Sequence, residues 1–498
     1  MSEVHFIDTT LRDGQQSLWA LGMRTGTMLA VAEAMDRAGF ESLEFFCSTM
    51  IKKYVREQKQ NPWEWVREGT KCFRRTRLRL HGGMHGSGTF VKLPPAVMKL
   101  FVERAVAYGI TLTRTSTSWN DFPGFEKELH ELRAVGMETI VNLIYSVSPR
   151  HTDQYYAERA RQAAAIRPYR ICFKDVGGLL TPERARTLIP VILENASDVP
   201  VEFHGHCNNG LGPLCYLEAV KLGIQTLHTA VPPLANGSSQ PSIFNIAKNL
   251  RALGYTPIIN EEELKPVEEH FTAVAKRDGF PIGKPLAYDQ SHYLHQVPGG
   301  MISNLRHQLR VVGMEDKLQA TLEEAARVRA EFGYPIMVTP LSQFVGSQAA
   351  INVIVGERYK EVTDQVIQYA LGLWGKEAPD LMDPDVKDKI LSRSRAKEWE
   401  RWAPSDPSLE EVRSRFGGPS ISDDDLLLRV YAGEEAVKAL CAAGAPKEFL
   451  NGRQPLFRLI EALSRKKDCS QIYIHRNGFS LALGKTANSE RVAHEPVS

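Results

Sequence analysis

Residues 169–206 read YRICFKDVGGLLTPERARTLIPVILENASDVPVEFHGH. Tyr169–Lys174 is an apolar run of strand length. Thr181 followed by Pro182 supplies a helix N-cap and a proline at the first helical position, and Pro182–Leu193 is a helical pattern. Pro200 then introduces a second strand-like run, Val201–His206. Strand, helix, strand is a βαβ unit, and such units build parallel sheets. Working outward, strand-like runs recur at Val4–Asp8, Ser42–Phe46, Arg77–His81, Leu112–Thr115, Glu138–Tyr145 and Thr226–Ala230. Helical patterns lie between them, at Thr27–Arg37, Pro95–Tyr108, Phe125–Ala134, Thr152–Ala165 and Leu214–Leu222. Eight strands alternating with helices close most naturally into a (β/α)8 TIM barrel. A doubly wound sheet is the alternative, but no GxGxxG follows any strand.

Beyond residue 305 the pattern turns mostly helical, at Asp316–Phe332, Gln343–Val355, Thr363–Leu371 and Leu426–Ala443, with Trp402–Asp425 reading as a connection. Leu456–Arg465 looks helical, and Gln471–Ile474 with Phe479–Leu483 around Asn477-Gly478 reads as a hairpin with a type I′ turn. The expected class is α/β, a barrel with a mostly helical C-terminal extension. Its units are residues 1–304, 305–445 and 446–498, the last ending in a disordered tail. Apolar residues at 43% and charged residues at 24% exclude a disordered, collagenous or coiled-coil chain. A formal charge of +2 gives no nucleic-acid footprint. No apolar run approaches the roughly 18 residues of a membrane span. The N-terminus has no secretory pattern, and seven cysteines without a CxxC pair read as reduced thiols of a cytoplasmic protein.

Three segments carry chemistry. In His204-Gly205-His206, residues i and i+2 of a strand point to one side, so both imidazoles can reach one metal ion. A satisfied histidine pair is an equal alternative. Asp8–Gln16 packs Arg12, Asp13 and Gln16 beside a strand end. It offers a carboxylate for a metal and a guanidinium for a developing oxyanion, or simply a capped polar loop. Lys174 ends an apolar strand, where burial lowers its pKa and frees a neutral amine able to take up CO2 as a carbamate. The bland alternative is a lysine reaching solvent or pairing with Asp175.

Together these segments resemble the carboxyltransferase domain shared by pyruvate carboxylase, the α subunit of oxaloacetate decarboxylase and the metal-binding subunit of transcarboxylase, within the hydroxymethylglutaryl-CoA lyase-like superfamily. The resemblance runs from about residue 4 to about residue 445. It includes Tyr145–Pro149, Lys174–Pro182, Ser239-Gln240-Pro241, Pro298–Leu305, Val338-Thr339-Pro340 and Gly356–Tyr359. It implies that Asp13, His204, His206 and a carbamylated Lys174 hold one divalent ion, Zn²⁺ first, with Mn²⁺ or Co²⁺ as alternatives. Arg12 would stabilise an enolate, Gln16 would contact substrate, and Ser238 would supply the hydroxyl that shuttles a proton between biotin and the enolate. The family has threonine there.

Where the family's third strand ends in a carboxylate-clamping arginine, this chain has His81, with His85 just beyond. A histidine cannot form the bidentate fork of a guanidinium. The acceptor is therefore expected to be a small organic acid or ketone-like molecule other than pyruvate, with His81, His85 and Arg114 as substrate-binding residues; ordinary loop histidines are an equal alternative for His81 and His85. No Met-Lys-Met biotinylation motif occurs, so biotin is expected in trans. The implied partners are a biotin carboxyl carrier protein and a biotin carboxylase subunit, in a homodimer or larger complex. Two rivals stand beside the biotin-dependent carboxyltransferase or decarboxylase: a biotin-independent, metal-dependent lyase or aldolase, and a non-catalytic scaffold subunit.

Overall fold

The computed structural model describes residues 2–84, 93–297, 309–402, 406–444, 471–476 and 479–484, with positions 302, 305, 306 and 463 besides. Eight parallel strands form the barrel: β1 (Glu3–Asp8), β2 (Ser42–Cys47), β3 (Arg77–His81), β4 (Leu112–Thr115), β5 (Glu138–Ile144), β6 (Arg170–Asp175), β7 (Val201–Gly205) and β8 (Thr226–Thr229). Each pairs with its successor, and β1 pairs with both β2 and β8 to close the ring. Closure removes the doubly wound alternative. Every expected strand is present, its ends shifted by no more than one residue.

Side-chain alternation divides the barrel wall into two faces. Leu43, Phe45, Leu80, Leu143, Phe173 and Phe203 face outward into the core shared with the surrounding helices. Two of those helices, Ser48–Lys53 and Pro62–Cys72, lie between β2 and β3 where no helix was expected. The second carries its own signal: the Asn61 side chain caps Trp63 N–H and Pro62 sits in the first turn. Trp65 stacks on Phe45 with ring centroids 4.3 Å apart. The inward face is different. A small apolar plug of Leu112, Ile140 and Cys172 lies beneath a layer of buried charges.

The extension begins with its own core. Helices Leu318–Glu331, Leu341–Val355, Asp364–Ala370, Pro384–Leu391 and Ser394–Glu400 bury Val328, Phe332, Val345, Tyr369 and Ile390 together with Trp119 from the barrel. The Trp402–Asp425 connection is interrupted by a helix, Leu409–Arg415, which Ser408 and Glu411 start with a capping box. The expected helix Leu426–Ala443 is two helices, Asp423–Ala432 and Glu434–Ala443, because Gly433 takes φ +91° and breaks the run. These last helices turn back: Val412, Leu426, Leu427 and Val437 belong to the barrel's core. The hairpin is present as antiparallel β9 (Gln471–Arg476) and β10 (Phe479–Gly484). Its Asn477-Gly478 turn, Pro298–Met301, His85 and most of Leu456–Arg465 lie outside the described residues. Among those described, no helix is long and apolar enough to cross a membrane.

Candidate active site

The site is assembled at the C-terminal ends of the strands, where barrels of this kind place their chemistry. After β1 the chain makes a single wide helical turn, Thr10–Gly14, and enters the short helix Gln15–Trp19. The turn lets two adjacent residues, Arg12 and Asp13, both reach the lumen. Asp13 Oδ2 lies 3.4 Å from His204 Nε2 and 3.8 Å from His206 Nε2. The two Nε2 atoms are 3.1 Å apart. His206 Nδ1 is 2.6 Å from the Ser238 carbonyl. A carbonyl only accepts, so Nδ1 carries the proton and Nε2 keeps a lone pair. The Gln240 side-chain nitrogen stands 3.1 Å from that atom and 3.3 Å from His204 Nε2. A carboxylate and imidazole lone pairs aimed at one point are a cation's donor set. The residues present fit a divalent metal.

Electrostatics support that fit. Burial would raise Asp13, but Arg12, His206, Lys174 and Arg114 outweigh it and hold the carboxyl well below its usual range. Burial also keeps His204 and His206 below the ordinary histidine value, so neither proton competes for the lone pairs. Lys174 is brought down to about 7, first by desolvation and then by Arg114. Near neutrality it is therefore substantially the uncharged amine that carbamate formation needs.

Arg12 donates from Nε to Glu44 Oε2 at 2.7 Å and from Nη2 to Asp13 Oδ2 at 2.9 Å. Its Nη1 reaches the exposed Gln16 at 3.4 Å. Glu44 also accepts from Arg114, and Arg114 Nη1 donates to Asn142 at 3.0 Å. Arg114 is fully buried, with Nε as its one nitrogen lacking a hydrogen-bond partner among the described residues. It braces the barrel interior, which leaves little of it for the expected substrate contact. His81 is the reverse case. Its Nδ1 finds no partner among the described residues, and burial with Arg12, Arg114 and Lys174 keeps the ring neutral. Ser238 is half-buried at the mouth, its hydroxyl 2.8 Å from the Ser17 carbonyl.

Several residues here escaped the sequence reading. Gln240 lies inside the Ser-Gln-Pro motif but was given no role. Glu44, Arg79, Glu202 and His228 were unremarked, although each is buried within its strand. Glu202 takes Arg79 through two bonds, 2.7 and 2.9 Å, and His228 Nε2 through a third at 2.9 Å. Burial would raise Glu202, yet Arg79 and His228 hold it well below the usual carboxylate range. Burial takes His228 down to about 4, with Glu202 only partly offsetting it. His228 is thus neutral near pH 7.

Residues 293–441 match the conserved carboxylase domain. A pyruvate carboxylase subunit of Methanocaldococcus jannaschii is 34% identical over 445 residues, 88% of this chain and 77% of the relative. The 2-oxoglutarate carboxylase large subunit of Hydrogenobacter thermophilus is 31% identical over 85% of this chain and 66% of its own length. The methylmalonyl-CoA carboxyltransferase 5S subunit of Propionibacterium freudenreichii is 30% identical over 77% of this chain and 76% of its own. The carboxyl transferase domain of Rhizobium etli pyruvate carboxylase superposes with a TM-score of 0.80 at 22% identity, covering 97% of this chain and 84% of that one. Relatives of this kind leave no ground for the lyase or scaffold alternatives. They also give no support to the expectation that pyruvate is a poor acceptor, since the first of them is named for pyruvate.

Proposed function

Because the chain belongs to the family of carboxyltransferase subunits of biotin-dependent carboxylases, we propose that it moves a carboxyl group between carboxybiotin and the enolate of a small 2-oxo acid. The observation that carries this reading is the convergence of Asp13, His204 and His206 on one point with the Arg12 guanidinium bonded to the same carboxylate. Asp13, His204, His206 and carbamylated Lys174 would hold a divalent ion there, Zn²⁺ in preference to Mn²⁺ or Co²⁺, which would supply Lewis-acid polarisation of the acceptor's oxygen.

The chain's own residues do the rest. Arg12, oriented by Glu44 and Asp13, presents positive charge where the enolate oxygen develops. Gln16, exposed beside it, contacts substrate. His81 Nδ1, buried and unpartnered among the described residues, is a free polar group for the acceptor's carboxylate. Ser238 passes the proton between biotin and the enolate after leaving the Ser17 carbonyl. The barrel, the helical extension and the hairpin segment act as one subunit that receives biotin from a separate carrier charged by a biotin carboxylase. Pyruvate and 2-oxoglutarate are the acceptors to assay, since relatives carry those names.

The test is turnover of each acid with and without added biotinylated carrier. Turnover should require the carrier. It should fall by about 10²- to 10⁴-fold in Ser238→Ala, the span of a lost general acid–base group, and be maintained or raised in Ser238→Thr. Full activity without carrier, together with a silent Ser238→Ala, would refute the proposal.

A further inference from the structure

Behind the metal-binding face runs a buried relay that crosses the barrel. Arg79 on β3 meets Glu202 on β7 through two hydrogen bonds of 2.7 and 2.9 Å. These strands are not neighbours in the sheet, so the pair spans the lumen. Arg79 Nε is anchored to Ser42 Oγ at 2.6 Å. Glu202 accepts from His228 Nε2 at 2.9 Å. His228 Nδ1 then lies 3.1 Å from His204 Nδ1. All four of Arg79, Glu202, His228 and His204 are 0% exposed.

Proton positions follow from what each group can do. The two Nδ1 atoms, 3.1 Å apart, form a hydrogen bond in which one of them donates, whereas the two Nε2 atoms converge on the cation point and both face the Gln240 amide nitrogen. Glu202, paired to Arg79, is an acceptor only, so His228 must present N–H at Nε2. Arg79 already pairs with Glu202, and Arg12 and Arg114 with Glu44, so no unpaired carboxylate calls for a charged His228, which keeps a lone pair at Nδ1 and can only accept there. The shared proton belongs to His204 Nδ1, and His204 Nε2 is left bare toward Asp13 and His206. We propose that His228, held by Glu202 and Arg79, is a positioning residue that fixes His204 in the tautomer able to ligate the divalent cation. This rests on the metal reading of Asp13, His204 and His206. It gives a role to a carboxylate–arginine pair buried inside the barrel: the carboxylate sets the direction of two successive hydrogen bonds.

The inference is tested on the full chain by Zn²⁺ affinity, read by chelator competition, and by side-chain ¹⁵N spectra of the metal-free protein, which distinguish imidazole tautomers. His228→Leu removes the acceptor and should weaken Zn²⁺ binding by about 10- to 100-fold, as loss of an outer-shell partner does. It should also give His204 mixed tautomers. His228→Asn places an amide oxygen near the Nδ1 position and should recover much of the affinity. Glu202→Gln can donate to His228, reverse the relay and put the His204 proton on Nε2. That should weaken Zn²⁺ although Glu202 touches no ligand position. Melting of each variant in chelator separates misfolding from lost affinity, and if His228→Leu does not fold, the Asn and Gln variants decide. Wild-type affinity and an unchanged His204 tautomer in the folded variants would overturn the inference. A wild-type chain that binds no divalent metal would instead overturn the metal reading beneath it.

Discussion

Inside the barrel, Arg79, Arg114, Glu44 and Glu202 are buried against one another. In the extension, Phe332, Leu341, Val345 and Tyr369 are buried together, with the Phe332 and Tyr369 rings stacked 5.1 Å apart, beside a smaller polar set of Glu324, Arg329, Gln348 and Asn352. Both regions are sealed, but in different proportions: charged pairs dominate the lumen and apolar contact dominates the extension. Apolar contact gives the extension stability without demanding one geometry. Buried ion pairs give little net stability, because desolvation offsets attraction, and are costly to break singly. What the lumen gains is direction: each guanidinium fork and each imidazole proton permits one arrangement of its neighbours. The catalytic half of the molecule is built for orientation and the other half for cohesion.

The largest effect that would sharpen this contrast is expected at the ligands. The His204→Ala, His206→Ala double variant should fall from near-stoichiometric to negligible metal by elemental analysis, with activity lost. A metal-free but fully active variant would end the metal reading. Next in size, Glu202→Ala strands the Arg79 charge and should cost about 3–5 kcal/mol in denaturant unfolding. The paired change Arg79→Met, Glu202→Leu should restore most of that stability while metal affinity stays low. If stability and affinity return together, the lumen charges are structural and the contrast collapses. In the extension, Leu341→Ala should cost about 2–5 kcal/mol and leave metal content unchanged, and a concurrent loss of metal would show that cohesion there supports the site. The smallest effect is expected at the surface. The exposed Arg395–Asp364 pair should contribute no more than about 1 kcal/mol, checked by a double-mutant cycle.

The strands were legible because each is a short apolar run between turn residues, and His204-Gly205-His206 was legible because a period of two places both imidazoles on one side. The Arg79–Glu202 pair was not. Its members lie 123 positions apart, and local patterning carries no information about a partner at that distance. Its trace was still visible: a charge flanked on both sides by uncharged strand residues is tolerable in a barrel wall only if something neutralises it. Arg79, Arg114, Glu44 and Glu202 each show that trace, two of each sign. The break at Gly433 was missed for a simpler reason. One glycine within an apolar helical period weakens the pattern without erasing it. Arg114 was read only for its place at the active end of a strand, and its hydrogen bonds run inward to Glu44 and Asn142.

The last helices of the extension return to the barrel at Asp424. Its carboxylate takes Arg104 Nε at 2.8 Å and the Tyr108 hydroxyl at 2.5 Å, and its carbonyl accepts Trp63 Nε1–H at 3.1 Å. Nearby, Tyr431 meets Phe101 with ring centroids 5.7 Å apart. These partners precede it by 316 to 361 positions. During synthesis the barrel is complete once the helix ending at Asp278 has left the ribosome, but the face formed by Trp63 and Phe101 waits for residues up to Ala443. At about 5–20 residues per second, that face stays uncovered for on the order of ten to thirty seconds. A nascent chain with this topology therefore carries a timed exposure of aromatic surface, which gives a chaperone a window to bind.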